Sequence, residues 1–449
     1  SAHRAPRGGR TPQLPPAESG MLLDLGRRAL AAAALVGMPL APSALAPTLG
    51  ASGISPPTTV EYGPLPEQVA DLYLPSNVAA PFPTVVLVHG GFWQAPYKRD
   101  LMDPTARDLC ASGVAVLNLE YRRCGAAGGG GGFPSTLADV AHGIDWLASE
   151  AARETYGLDA SRVALVGHSA GAQLVLWAAQ RESLPRRAGG AGGDDELDAT
   201  AAVEADALRE VLFNTPAAGQ AGALRAALTE GGRAVRRAVR PRCVVSIGGC
   251  IDFGFARTDE RQQRRARPAV ESFLLAGRAP DENVLAARMQ LASPAAMLPP
   301  LIRSTRRADL RWRGVTEHEV GLGDDEAPSL AKLTLIHGLK DDVVPPEHST
   351  RFCVAASTAG VGCTYRQVRR EGHFEVLEPK SVSWAAVRTA LQQAGVLPGS
   401  GGEDAAAPEA APDLSPAVPG SVMATTTRTE TADEVVFVTR RAALLTSSL

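Results

Sequence analysis

Apolar runs of strand length alternate with helix-like segments from about residue 57 to residue 396. The run TVVLVHG at 84–90 is almost continuously apolar, which is typical of a strand buried on both faces of a sheet. Comparable runs follow at 114–121, 162–168, 242–249, 332–338 and 363–368. Helical patterns lie between most of them, near 98–112, 135–150, from 169 onward, near 346–358 and near 380–394. The alternation predicts an α/β fold with a mostly parallel sheet and helices on both of its faces.

Other segments depart from this alternation. Before the first buried run, TVEYG and VADLYLP predict two short antiparallel strands. Two insertions interrupt the core, at 184–240 and at 299–330; the first combines a Gly/Asp-rich spacer with helical patches such as EADALREVLF. Because this first insertion follows a helix that starts at the strand ends, we expect it to be a mobile cap over a pocket. Residues 397–449 are rich in Pro, Ala and Gly and predict a disordered tail.

The first 56 residues are expected to be a leader rather than part of the fold. Arg27 and Arg28 precede an apolar stretch too short to span a bilayer, and Ala44-Leu45-Ala46 has the small residues of a cleavage site. We therefore expect an exported or organellar protein cleaved after Ala46, without stable membrane insertion. If the leader is not functional, the protein is expected to be cytoplasmic.

Charge and cysteine content narrow the classes of partner. The formal net charge is -3 with 21% charged residues, so the chain lacks the basic field that nucleic-acid binding uses. A small molecule is the expected partner. Six cysteines without a C-x-x-C pair argue against a zinc site and predict buried core residues, with disulfides left open for an oxidising compartment. The oligomeric state is left open.

The stretch VALVGHSAGAQLVLWAA places a serine between two glycines where a strand pattern changes to a helix pattern. In so sharp a turn the central residue is strained, and glycines on both sides relieve the crowding of the backbone. The turn presents the hydroxyl of Ser169 above the sheet, at a helix N-terminus that favours negative charge. Ser169 is therefore the candidate nucleophile.

A serine nucleophile needs a base, and the base needs a carboxylate that fixes its tautomer. Downstream, Asp341 and Asp342 follow the run KLTLIHG, and His373 follows the last predicted strand. Upstream, the loop after TVVLVHG is placed to offer backbone N–H groups to an oxyanion. All of these residues follow the carboxyl ends of predicted strands, where open parallel sheets place their sites.

These stretches resemble the α/β-hydrolase superfamily, and within it the carboxylesterase and arylformamidase-like group that carries an H-G-G-x-W loop. The resemblance covers residues 57 to about 396 apart from the two insertions. Its motifs are Val88-His89-Gly90-Gly91-Phe92-Trp93, Glu120-Tyr121-Arg122, Phe133-Pro134 with Asp139-Val140, Gly167 to Gly171, Ser293-Pro294, His337 to Pro345, and Gly372-His373-Phe374.

The resemblance implies a serine hydrolase acting on a carboxylic ester or a small aryl-formyl amide, with no metal and no organic cofactor. The implied triad is Ser169, His373 and Asp341, because the pattern H-G-x-x-D-x-x-V-P selects Asp341 over Asp342. Asp252, which also follows a strand, is kept as a second candidate acid.

The remaining site residues are expected from the same motifs. The N–H groups of Gly91, Phe92 and Ala170 are expected to form the oxyanion hole. Trp93 and His168 are candidates for the substrate pocket, although a role in packing is open for both. A peptidase of the prolyl-oligopeptidase type and a non-catalytic hydrolase-fold binding protein are the alternative functions; a binding protein of this kind usually lacks the serine or the histidine.

Overall fold

The computed structural model describes residues 56–181, 184, 196–214, 239–298, 331–359, 361–399 and 425–440. All of them belong to one compact unit within 49–449. The expected leader up to residue 55, the insertion at 299–330 and most of the insertion at 184–240 lie outside the described residues. The localisation that the leader predicts is therefore still a prediction.

The described strands are β1 (Thr58–Glu61), β2 (Val69–Tyr73), β3 (Phe82–Val88), β4 (Ala115–Leu119), β5 (Leu158–His168), β6 (Cys243–Ile247), β7 (Lys332–Gly338), β8 (Cys363–Val368), β9 (Thr425–Glu430) and β10 (Glu434–Arg440). They form one sheet in the order β1-β2-β4-β3-β5-β6-β7-β8-β10-β9. The six strands from β4 to β8 in this order pair in parallel, and β1 and β2 join them antiparallel. The predicted mostly parallel sheet is confirmed.

The described helices are α1 (Asp103–Ala111), α2 (Ser135–Asp145), α3 (Ala170–Gln180), α4 (Glu196–Asn214), α5 (Phe253–Thr258), α6 (Ala266–Leu275), α7 (Glu282–Ala292), α8 (Glu347–Thr358) and α9 (Val382–Gln393). Two buried clusters place them on the sheet. Residues of α1 and α9 pack in one cluster, and residues of α2 to α8 pack in the other. Helices therefore cover both faces, as predicted, and the parallel strands between them are buried on both sides, which explains their almost continuous apolar sequences.

Helix α4 is the described part of the first insertion, and it packs against α2 and α7. Leu208 is fully buried, and the Arg288 Nε in α7 donates to the Glu204 carboxylate at 2.8 Å. The His142 imidazole in α2 lies 3.0 Å from the carbonyl of Leu212. This helix is part of the core on one face of the sheet. The cap is still a prediction, since residues 185–195 and 215–238 are outside the described ranges.

The expectation of a disordered tail is wrong for residues 425–440. Strand β10 pairs antiparallel with β8, and β9 pairs with β10, so the two strands extend the sheet as a hairpin. The ring of Phe437 lies 6.0 Å from that of Tyr365 in β8. The physical reason is that β8 would otherwise leave an unpaired backbone edge, which the β-branched residues of EVVFVTR are suited to cover.

All six cysteines are buried thiols, as expected for small core residues. Within the described ranges, no helix is long and apolar enough to cross a membrane.

Candidate active site

Ser169 occupies the turn between β5 and α3 with φ 55° and ψ −115°, a strained conformation for a residue with a side chain. The glycines on either side have no space for a methyl group. A Cβ on Gly167 would lie 2.2 Å from the carbonyl oxygen of Gly171, and one on Gly171 would lie 2.0 Å from that of Val88. The two glycines therefore allow the turn to close against β3.

Backbone hydrogen bonds hold the turn in place. The N–H of Ser169 donates to the carbonyl of Ile247 at the end of β6, at 2.8 Å, and the Ser169 carbonyl accepts from Ala172 at 3.1 Å. Ala170 is the first residue of α3, so its N–H has no acceptor within the helix. The start of α3 thus offers an N–H and a helix dipole beside the serine.

Asp341 and His373 are brought together by the loops that follow β7 and β8. The His373 Nδ1 lies 2.7 Å from the Asp341 Oδ2, and both side chains are buried. The other carboxylate oxygen of Asp341 accepts from the N–H groups of Val343 and Val344 at 3.0 and 2.8 Å. Because the carboxylate is an acceptor, the proton of His373 lies on Nδ1, which leaves Nε2 free to accept.

A second histidine reaches the same carboxylate. The His337 Nε2 is 3.2 Å from the Asp341 Oδ2 and 2.8 Å from the carbonyl of Val344, while its Nδ1 is 2.8 Å from the Ser349 hydroxyl. Burial opposes ionisation of Asp341, but hydrogen bonds from His337 and His373 outweigh it and hold its pKa well below the usual range. Asp341 is therefore a fixed negative charge.

The other two candidate acids lie elsewhere. Asp342 is exposed. Asp252 caps α5 through the N–H of Phe255 and pairs with Arg351 at 2.8 Å. Of these three aspartates, only Asp341 contacts His373.

Ser169 and His373 both border the end of β6. Gly248, with φ 54°, follows Ile247, and a Cβ built on it would lie 3.4 Å from the His373 Nδ1 and 3.3 Å from the Asp341 Oδ2. His168, directly before the serine, has its Nε2 2.9 Å from the carbonyl of His373. The nucleophile turn is thus linked to the histidine loop by a buried hydrogen bond.

The side chain of His168 is buried rather than exposed. Its ring is 4% exposed and its centroid lies 4.7 Å from that of His373. Burial, reinforced by the nearby His373, lowers the pKa of His168 to about 3, so the ring is neutral. A neutral ring with its proton on Nε2 donates to the His373 carbonyl.

The loop after β3 turns sharply beside the serine. Gly91, Phe92 and Trp93 have φ values of 107°, 52° and 58°. A Cβ on Gly90 would lie 2.9 Å from the Cβ of Ser169, and one on Gly91 would lie 2.2 Å from Tyr97. Backbone alone fits between this loop and the nucleophile, as an oxyanion hole built from N–H groups requires.

Trp93 is a core residue. It is fully buried, its indole N–H donates to Gln173 in α3 at 3.1 Å, and its ring packs against Phe253 and Phe273. Of its two expected roles, substrate contact and packing, the structure shows the packing one.

Sequence reasoning did not predict the buried contact between His89 and Glu120 next to this loop. His89 is fully buried and stacks on Tyr121, with the ring centroids 4.3 Å apart, and its Nε2 lies 3.0 Å from the Glu120 Oε1. The motif Glu120-Tyr121-Arg122 was the available signal, but the contact joins residues 31 positions apart in the sequence. The contact of His337 with Asp341 is a second one that the sequence does not predict.

The arrangement can carry out acyl transfer. It provides a strained serine, a histidine whose Nδ1 is fixed by a carboxylate, and the N-terminus of a helix directly after the serine. Within the described ranges, no three His, Cys, Asp or Glu side chains are grouped as a metal site requires.

Comparison with known proteins gives a consistent picture. Residues 70–205 match the BD-FAE family model. A probable isoprenylcysteine alpha-carbonyl methylesterase of Arabidopsis thaliana is 32% identical over 118 residues, which cover 26% of this chain and 23% of the relative. A probable methylesterase of the same name from Oryza sativa subsp. japonica is 31% identical over 27% of each chain. The match spans about a quarter of the length of these curated relatives.

Solved structures resemble the chain over a longer stretch. A truncated carbohydrate esterase from gut microbiota has a TM-score of 0.50 at 16% identity, covering 77% of this chain and 98% of that one. Esterase B from Lactobacillus rhamnosis also has a TM-score of 0.50 at 16% identity, covering 77% of this chain and 86% of that one. At this identity the likeness shows the fold. The sheet order, the strained serine turn and these matches together show that the chain has the α/β-hydrolase fold.

Proposed function

We propose that the chain is a serine hydrolase that cleaves a carboxylic ester through an acyl-enzyme, with Ser169, His373 and Asp341 as its triad. The observation that carries the proposal is the buried 2.7 Å bond between His373 and Asp341, next to a serine held at φ 55°. The names of the relatives, which are methylesterases and esterases, favour an ester over the small aryl-formyl amide as the substrate.

The proposed reaction begins when the Ser169 Oγ attacks the ester carbonyl and its proton passes to the His373 Nε2. Asp341 stabilises the resulting imidazolium without taking its proton. The N–H groups of Gly91, Phe92 and Ala170 receive the negative oxygen of the tetrahedral intermediate. The His373 proton then goes to the leaving alcohol as the ester C–O bond breaks. Water next gives a proton to His373 and attacks the acyl-enzyme, the bond to the Ser169 Oγ breaks, the acid leaves and the proton returns to Ser169.

Hydrolysis of p-nitrophenyl esters of graded acyl length, with N-formylkynurenine in parallel, tests the proposal. Ser169→Ala is expected to lower turnover by at least about 10³-fold, because a triad acts as a unit. Ser246→Ala is the matched control: it is a fully buried serine in the neighbouring strand β6, and its hydroxyl has no partner among the described residues. Turnover that survives in the Ser169 variant would contradict the assignment. A folded wild-type protein that hydrolyses neither class of substrate would favour the binding-protein alternative.

A further inference from the structure

The imidazole of His89 has both ring nitrogens against oxygen atoms that can only accept. Its Nδ1 lies 2.8 Å from the carbonyl oxygen of Gly90, and its Nε2 lies 3.0 Å from the Glu120 Oε1. Both oxygens of Glu120 also accept from backbone N–H groups, Oε1 from Tyr121 at 3.1 Å and Oε2 from Arg99 at 3.2 Å. Glu120 is therefore a carboxylate, which has no proton to give.

A neutral imidazole has one N–H, so one of these two contacts would place a nitrogen lone pair against an oxygen lone pair. The ring is fully buried, and water cannot relieve such a contact. Protons on both nitrogens satisfy the two contacts at once. We infer that His89 is an imidazolium held by Glu120 beneath the oxyanion loop, and that this ion pair is a positioning and electrostatic element of the site.

Other charged and titratable groups lie near the pair, but none of them takes the place of His89 next to Glu120. The Arg123 Nε is 3.5 Å from Glu120 and the Arg99 Nη1 is 3.8 Å away, both farther than the His89 nitrogen. Arg99 is engaged by Asp71, at 2.7 Å. The guanidinium of Arg123 donates instead to the carbonyls of Ala95 and Tyr97.

Two tyrosines and a histidine complete these surroundings. The Tyr121 hydroxyl donates to the His89 carbonyl at 2.9 Å, and the Tyr62 hydroxyl donates to the Glu120 carbonyl at 2.7 Å. Burial raises the pKa of both phenols well above the usual value, so both stay neutral. His168 lies next to Gly90 and is neutral as well. His89 thus makes the shortest contact between a cationic side chain and Glu120.

The catalytic consequence rests on the proposed function. The His89 Nδ1 contacts the carbonyl oxygen of Gly90, which belongs to the same peptide unit as the N–H of Gly91, so a positive charge on the ring lies next to an N–H expected to receive the oxyanion. In a buried site such a charge acts at low dielectric. It stabilises an oxygen that becomes negative only in the transition state, and so acts on kcat rather than on KM.

Nitrogen NMR of protein labelled with ¹⁵N-histidine tests the protonation directly. The chain has eight histidines, and the spectrum of His89→Asn identifies the signals of this one. We expect two protonated ring nitrogens on His89 at pH 7.5. A ring with one protonated nitrogen at pH 7.5 would overturn the inference, whatever the enzyme hydrolyses.

Kinetics of Glu120→Gln test the consequence. We expect a fall in kcat of about 10- to 100-fold with KM within about twofold, since the loss of a nearby charge costs less than the loss of a direct oxyanion donor. The affinity for a trifluoromethyl ketone, which binds as an oxyanion, is expected to fall in step with kcat.

Asp139→Asn is the matched control, because it also neutralises a fully buried carboxylate, one that pairs with Arg122 and not with His89. An equal fall of kcat in the control would contradict the electrostatic role of the ion pair. A doubly protonated His89 in a protein without esterase activity would instead contradict the proposed function, but it would not contradict the ion pair.

Discussion

At the scale of single residues, the neighbouring Asp341 and Asp342 have opposite surroundings, and this difference gives the first prediction. Asp341 is buried against His373, whereas Asp342 is exposed. Asp341→Asn keeps the shape but favours the wrong imidazole tautomer, which in a comparable triad costs about 10⁴ in turnover. Asp342→Asn is expected to cost less than about tenfold. Steady-state kinetics of both variants measure the difference, and the reverse ranking would move the acid to Asp342.

Gly171 gives a prediction about folding. Its Cβ would meet the carbonyl oxygens of Val88 and His89 at 2.0 and 2.6 Å, so Gly171→Ala must push α3 away from β3. We expect a loss of about 2 kcal/mol or more in the free energy of unfolding, as for other overpacked cores. Gly254→Ala in α5 is the control, because the nearest atom to its Cβ is 3.4 Å away. Urea unfolding compares them, and equal stabilities would contradict the steric account.

Sequence motifs predict those site residues that can be identified from the residues next to them in the chain. Ser169 lies between two glycines at a junction of strand and helix, and His373 and Asp341 follow strand ends. By contrast, the roles of His337 and Glu120 depend on contacts between residues that are apart in the sequence. His337 contacts the Asp341 carboxylate that also binds His373, and Glu120 contacts the ring of His89, 31 positions away. The pattern of the sequence does not encode such contacts.

At the scale of elements, the hairpin of β9 and β10 covers the edge of β8. Truncation after residue 423 would leave the β8 backbone unpaired and uncover Tyr365, which Phe437 now covers. We expect a melting temperature lower by about 3 °C or more and a greater tendency to aggregate. Truncation after residue 440, which keeps the hairpin, is the control. Unchanged melting and solubility in the shorter protein would show that the hairpin does not stabilise the sheet.

Some elements could be predicted from the sequence and others could not, for a physical reason. The buried strands of the parallel sheet are apolar along their whole length and stand out from their surroundings. Helix α7 is enclosed, with α4 on one side and Trp177 of α3 donating to its Leu291 carbonyl on another. Such a helix has no single apolar stripe, and it even buries the charged Arg288, so its sequence gives little sign of it.

At the scale of the whole molecule, two buried histidines make stability depend on pH. Burial lowers the pKa of both His168 and His348 to about 3. Between pH 6.5 and pH 3 the unfolded chain therefore binds protons that the folded chain does not, and stability falls as the pH falls. Each histidine contributes a slope of at most about 1.4 kcal/mol per pH unit in this window, and none above it.

The measurement is urea unfolding at pH 7.5 and pH 5 for the wild type and for His348→Gln. His348 packs between Gln262 and the N–H of Asp252 and is not part of the proposed triad. The variant is expected to lose less stability than the wild type on acidification. An equal loss in both proteins would contradict the assignment of His348 as a neutral buried ring.

The central claim is that Ser169 is a nucleophile activated by His373 and Asp341, and covalent labelling tests it most directly. Wild-type protein treated with a fluorophosphonate and then digested should carry one phosphonyl group, on the peptide that contains Ser169. The Asp341→Asn variant should be labelled far more slowly at the same serine. A label on another residue, or equally fast labelling of a folded Ser169→Ala variant, would contradict the account.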